Sequence, residues 1–285
     1  MVKIIDADAL FDKYISDYVY KNIGKVKPEE IENQIPVLYE RFGKEPLKEL
    51  DGKSPETYYR SFNAEELVSA LKTHIDKKVP VSDFLCEALR DGDTETALLN
   101  ALGDEKDEEF VLYVMNVLND KNCDKVTDKY LEFILWGGSE PIRELAAEVL
   151  CGFSDKVKDR IIAEYKDASA PIKEIFAEIL CNATKCDRIF DILINGFVQN
   201  PDKTAYYCSL LSKYGDDRAL PFLYSAIENE KIDYADFEEL RFCIETLGGV
   251  YDKKRDFSSD AIRKKCKGEK TATAGQDINT EGYKS

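Results

Sequence analysis

His74 is the only histidine in the chain. Any Ser-His-Asp or Cys-His nucleophilic system would have to run through it, since a hydroxyl or thiol nucleophile needs a neighbouring base. It lies in Lys72-Thr73-His74-Ile75-Asp76, a helical stretch, and reads there as an ordinary helical residue. A single imidazole also excludes most zinc and non-haem iron designs. Eight cysteines stand at positions 86, 123, 151, 181, 186, 208, 243 and 266, with no Cys-x-x-Cys pair among them. Cys181 and Cys186 have no second pair at metal-site spacing. Asp51-Gly52-Lys53-Ser54-Pro55-Glu56 lacks the second glycine and the Gly-Lys-Ser/Thr ending of a phosphate-binding loop. Its residues instead spell a tight turn into a helix, with Ser54 as cap and Pro55 at the first helical position. The acid runs Glu29-Glu30, Asp104 to Glu109 and Glu238-Glu239 read as solvated faces or helix starts. The expectation is no catalytic residue, no metal site and no cofactor.

The elements that would position any site are helical. Ser139-Glu140-Pro141-Ile142-Arg143-Glu144-Leu145-Ala146-Ala147-Glu148-Val149-Leu150-Cys151 returns 30 residues later as Ser169-Ala170-Pro171-Ile172-Lys173-Glu174-Ile175-Phe176-Ala177-Glu178-Ile179-Leu180-Cys181. Most differences are exchanges within Ile/Leu/Val or Lys/Arg. A fixed period of this size marks stacked helical units. In each copy the serine is placed to cap, the proline falls in the first turn, and Ile142, Leu145, Ala146, Val149 and Leu150, like Ile172, Ile175, Phe176, Ile179 and Leu180, make one apolar face. Glu144, Glu148, Glu174 and Glu178 project from the other side. Cys151 and Cys181 recur just past the stripe, where a free cysteine packs as a small hydrophobe. Second helices follow, with Val157, Ile161, Ile162 and Tyr165 in one unit and Ile189, Phe190, Leu193, Ile194 and Phe197 in the next. Two such helices cannot cover both apolar faces alone, so the units must stack.

Helical spacing predicts segments near 94–102, 107–119, 127–136, 139–152, 156–167, 169–182, 186–199, 202–214, 217–229 and 234–247, joined by short turns. No run alternates strictly, so no sheet is expected. Residues 1–92 read as helical but irregular, with caps at Asp6, Ser54 and Asn63 and a helix opening at Pro28-Glu29-Glu30. Trp136 ends a helix just before the doubled segment and is expected to pack between neighbouring units. Past Gly249 apolar residues almost vanish; Asp252–Ser285 holds nine Lys/Arg against six Asp/Glu. The organisation predicted is an irregular helical region over 1–92, a repeat region over 93–249, and a basic, polar tail over 250–285 that is expected to be disordered. A tether folding back on an acidic surface is the alternative.

With 40 Lys+Arg against 56 Asp+Glu, the chain carries a formal net charge of −16. That sign repels phosphate backbones and anionic lipid surfaces, so neither nucleic acid nor membrane is an expected partner. The start Met1-Val2-Lys3-Ile4-Ile5-Asp6-Ala7-Asp8 shows no signal-peptide pattern, and scattered cysteines fit a reducing cytoplasm.

Pro141-Ile142-Arg143-Glu144-Leu145-Ala146-Ala147-Glu148-Val149-Leu150 resembles the first helix of HEAT-repeat (armadillo-like helical) proteins, which commonly reads Pro-x-Val/Ile-Arg-x-x-Ala-Ala-x-x-Leu. Gly215-Asp216-Asp217-Arg218-Ala219-Leu220-Pro221 looks like the Gly-Asp turn and second-helix start of the short bacterial variety shared by bilin-lyase-type proteins. The resemblance covers about 139–230, extends more loosely over 93–249, and is absent in 1–92. It implies an all-α, right-handed solenoid of helix pairs. The family includes scaffolds, adaptors, lyases acting on bilins and DNA-repair members. The reading drawn from it is a non-catalytic interaction scaffold or adaptor that binds a basic or extended partner protein on an acidic concave surface. Helical phase selects Asp159, Glu164, Arg188, Asp191, Asn195, Tyr224 and Glu228 as exposed partner-binding positions on second helices. Two alternatives stay open: a bilin-lyase-like or other small-molecule enzyme using the groove as a pocket, and a separate binding module formed by residues 1–92.

Overall fold

The computed structural model describes residues 4–22, 31–103 and 107–258, and among these all regular structure is helical, with no strand. The helix opening at Pro28-Glu29-Glu30, the start of the acid run at 104–106 and the tail from 259 to 285, including Arg263-Lys264-Lys265-Cys266-Lys267, lie outside the described residues. The chain divides into two compact units, Met1–Val149 and Leu150–Ser285.

The first unit carries α1 (Ala7–Lys21), α2 (Ile35–Lys44), α3 (Pro55–Arg60), α4 (Ala64–Asp76), α5 (Asp83–Asp91), α6 (Glu95–Ala101), α7 (Glu108–Asp120) and α8 (Thr127–Glu132). Their starts follow from side-chain chemistry. The Asp6 carboxylate accepts the Ala9 N–H at 2.9 Å. Ser54 and Thr57 form a reciprocal capping box, and so do Asn63 and Glu66. Each satisfies backbone donors that the first turn leaves open. Phe11, Tyr14, Tyr39, Phe42 and Phe84 meet as one aromatic cluster, with Phe42 against Phe11 at 5.3 Å and Tyr39 stacked on Phe84 at 5.2 Å between centroids. Gly43 lets the Phe84 ring in, because a Cβ there would sit 2.7 Å from Cε1.

His74 is fully buried in this unit. Its Nδ1 lies 3.3 Å from the Val79 carbonyl, which can only accept, so Nδ1 carries the proton. Nε2 is then the acceptor for the Tyr59 hydroxyl at 3.1 Å. Burial lowers the pKa of His74, and burial pushes the Tyr59 phenol up to about 12. The pair is a neutral, satisfied core contact.

Past α8 the backbone widens into a π turn over Phe133–Gly137, closed by the Gly138 N–H on the Phe133 carbonyl at 2.8 Å. The wider turn rotates the positions within it away from α-helical phase. That corrects the expectation for Trp136, which is 68% exposed.

Helix α9 (Glu140–Gly152) spans the division between the units. The second unit continues with α10 (Ser154–Glu164), α11 (Ala170–Leu180), α12 (Asp187–Gln199), α13 (Thr204–Tyr214), α14 (Leu220–Ile227) and α15 (Tyr234–Thr246). Helix α11 packs on α10 and α12, α13 on α12 and α15, and α14 on α15. The doubled segment is doubled in burial too. Ala146, Ala147, Val149 and Leu150 are buried, as are Phe176, Ala177, Ile179 and Leu180 thirty residues on. The expected caps are not made. Ser139 Oγ has no hydrogen-bond partner, and Ser169 occupies the N-cap position of α11 without a side-chain bond. A capping side chain accepts from the second or third helical N–H, and Pro141 and Pro171 remove the donor at the second position, which leaves only the third.

The joint between α13 and α14 is held by charge. Gly215 closes α13 at φ +70°, a conformation glycine adopts without Cβ strain. Arg218 then reaches the nearly buried Asp216 at 2.7 Å and Asp187, the first residue of α12, at 2.7 Å, while its guanidinium lies 4.4 Å from the Phe190 ring centroid. Hydrogen bonds from Arg218 hold the Asp216 carboxyl below its usual pKa.

Residues 249–258 return along α14 and α15. Arg255 donates to the Asn229 and Ile227 carbonyls at 2.8 and 2.9 Å, and Phe257 is buried against Phe237 with centroids 5.0 Å apart. This opening stretch of the expected tail is therefore ordered chain laid on the last two helices.

Two expectations test these contacts. The unfolded chain takes up a proton on His74 near pH 6.5, whereas the buried, lowered imidazole refuses it. Stability present above that pH is therefore lost as pH falls below it. Denaturant unfolding between about pH 7 and pH 5 should show this slope, and His74→Gln should flatten it. Asp216→Ala should destabilise by about 1–2 kcal/mol through loss of the turn cap and the arginine contact. Asp187→Ala, at a side chain 88% exposed, should stay within about 0.5 kcal/mol.

Candidate functional site

The second unit holds an open cleft of about 580 Å³. It is built from the end of α10, the face of α11, the exposed face of α12 and the start of α13. Half-buried and buried residues form the floor, Ile162, Tyr165, Ile192, Gly196 and Tyr207 among them. The exposed ones form the rim, with Lys166 on the α10–α11 joint and Arg188, Asp191, Asn195 and Gln199 along α12. These four α12 positions fall three or four residues apart, the spacing that places side chains on one helical face.

A close approach shapes the floor. A Cβ on Gly196 would lie 2.4 Å from Tyr207 Cε1, so α12 and α13 meet here because position 196 has no side chain. Burial pushes the Tyr165 phenol up to about 12 and raises Tyr207 as well, so both rings stay protonated at neutral pH. Lys173 lies with its ammonium 5.8 Å from the Tyr165 centroid. Glu174 is paired with Lys203, and its backbone carbonyl accepts from the Tyr206 hydroxyl at 2.9 Å.

The lining therefore carries three cations, Lys166, Lys173 and Arg188, and two carboxylates, Glu174 and Asp191, one of them already neutralised. Among the described residues Lys166, Arg188 and Asp191 make no ion pair. The local sign is positive in a chain whose formal charge is −16. The expected acidic lining is not what this cleft presents.

Of the residues selected by helical phase, the structure brings Arg188, Asp191 and Asn195 together in the cleft. Asp159 is exposed on α10 and Glu164 ends that helix; neither reaches the cleft. Tyr224 and Glu228 already have an occupant. The Tyr224 hydroxyl donates to the Val250 carbonyl at 3.2 Å and accepts its N–H at 3.0 Å, and Glu228 pairs with Lys253. Tyr165, Lys166, Lys173, Gly196, Gln199 and Tyr207 escaped the sequence reading. Gln199 alone had a legible signal, four residues beyond Asn195 on the same face.

The repeated cysteines, Cys151 and Cys181, sit as packing residues. The Cys151 and Cys181 thiols both donate to the Glu178 carbonyl, at 3.6 and 3.1 Å, and burial pushes Cys181 up to about 11. Among the described residues no group of three or more His, Cys, Asp or Glu could hold a metal ion, and no helix is long and apolar enough to cross a membrane. A second cleft of about 560 Å³, between α4, α6 and α7, places the Lys72 ammonium 5.1 Å from the Phe110 centroid. It contains none of the residues selected from sequence.

No family model matches the chain, and neither a curated protein nor a solved structure matches it.

The cleft floor depends on position 196. Gly196→Ala should force Tyr207 or the helix backbone to move and should destabilise by roughly 1–3 kcal/mol, read by thermal unfolding. Asn195→Ala, at an exposed rim position, should leave the melting temperature nearly unchanged.

Proposed function

We propose that this chain is a non-catalytic interaction module of HEAT-like helix pairs, arranged as a right-handed solenoid, which holds a segment of a partner protein in the cleft beside α12. The observation that carries the reading is the rim of that cleft. Arg188, Asp191, Asn195 and Gln199 present charge and carboxamide from a single helical face above an apolar and aromatic floor. That combination suits recognition, where a few polar groups fix orientation and apolar area supplies contact. Acyl or proton-transfer chemistry is poorly served. The lining residues include neither histidine nor cysteine, and the tyrosines beneath are held protonated. The doubled segment, with matched burial in both copies, supports the HEAT-like assignment. The bilin-lyase alternative rests on the resemblance alone.

The test fills the cleft without touching the core. The full chain and its Asn195→Trp variant, both immobilised, are exposed to lysate of the source cell. The expected result is a stoichiometric protein retained by the wild type and lost by the variant, with equal melting temperatures. Retention of a small molecule that leaves chemically altered would overturn the proposal.

A further inference from the structure

We infer that the segment accepted by the α12 cleft is acidic, although the chain as a whole is strongly acidic itself. The inference rests on the interaction reading above and names the chemistry of the partner. Three observations converge on it. Lys166 and Arg188 stand on the rim without an ion-pair partner among the described residues, and Lys173 lies over the Tyr165 ring rather than against a carboxylate. Glu174, one of the two acids in the lining, has its charge met by Lys203. Asp191 is then the single uncompensated acid facing three cations. Cations gathered on one cleft without partners are where an incoming carboxylate gains most, because their attractions add and none is already spent on a neighbouring acid.

The amides favour a peptide over a compact anion. The side chains of Asn195 and Gln199 make no hydrogen bond among the described residues, and each offers both a donor and an acceptor. Residues four apart on a helix lie about 6 Å from each other, close to the two-residue step of an extended chain at about 6.6 Å. A main chain laid along α12 could exchange hydrogen bonds with both. Its carboxylates would then face Lys166, Lys173 and Arg188, and its apolar residues would face Ile162, Ile192 and Tyr165. The net charge of the chain opposes this only at long range. At physiological ionic strength the screening length is about 8 Å, which leaves the local cations in command.

The experiment uses fluorescence anisotropy with the full chain at physiological salt. Its probes are labelled peptides that alternate leucine with glutamate, with lysine or with serine. The glutamate peptide should bind at least tenfold more tightly than the lysine peptide. The double variant Lys166→Glu/Arg188→Glu, altered only at exposed positions, should melt as the wild type does and should reverse that order. Lys173→Met, which keeps the alkyl chain over Tyr165, should weaken the glutamate peptide alone. Tighter binding of the lysine peptide, or glutamate-peptide binding that the double variant leaves unchanged, would overturn the inference. If the serine peptide binds as well as the glutamate peptide and Asn195→Trp abolishes both, the cleft is a peptide site and only its acidic preference falls. If no peptide binds, the interaction reading falls with it.

Discussion

An amphipathic helix in water has one side that only another surface can cover, and the second unit is a set of solutions to that constraint. Each helix of its interior offers a stripe such as Phe176, Ile179 and Leu180 or Ile189, Leu193 and Ile194, and each stripe is closed by a helix one or two places away along the chain. Because closure comes from helices nearby along the chain, a similar burial pattern can be written twice, thirty residues apart. Ala146 in one copy and Phe176 in the other show how far the pattern stretches, since both are completely buried. Polar groups in the interior arrive with partners at most positions, the Ser139 hydroxyl being an exception. Asp216 brings Arg218, and His74 brings Tyr59 and the Val79 carbonyl.

The helices were legible because apolar spacing and helix-start chemistry agree along most of the chain. Asp6, Ser54 and Asn63 cap as their sequence contexts predict. The failures are equally physical. Ser139 and Ser169 have the right type at the right place, but the prolines that follow remove one of the two donors each could serve, and neither hydroxyl caps. Trp136 was misjudged because a π turn cannot be seen in residue spacing that assumes an α-helix. In the candidate site, Arg188, Asp191 and Asn195 were readable since they share one helix and one face. Tyr165, Lys173 and Tyr207 were not, because their convergence depends on how α10, α11 and α13 meet α12. The spacing of one helix carries no information about that meeting. Tyr224 and Glu228 looked free for the same reason: the chain that covers them comes from twenty or more residues further on.

Net charge misled in an instructive way. A sum over 285 residues describes the field that a distant partner meets. It says little about a cleft, where the balance of a handful of side chains decides. Most acids of the second unit sit on outward faces or are engaged, as Glu174 is by Lys203 and Glu228 by Lys253. What remains uncompensated beside α12 has the opposite sign to the whole. Function in a protein of this kind is better sought in the residue of local pairing than in composition.

Helix α15 is the last helix among the described residues, and its apolar face needs a cover. Here the chain itself supplies the closure, laying Val250 to Phe257 along α14 and α15 and seating the Phe257 ring beside Phe237. Loss of the Phe257 ring or of the Arg255 guanidinium would open that seal, uncovering Phe237 and releasing the Ile227 and Asn229 carbonyls to water. The packing of α15 is thereby completed from within the chain, by residues that carry no regular secondary structure themselves.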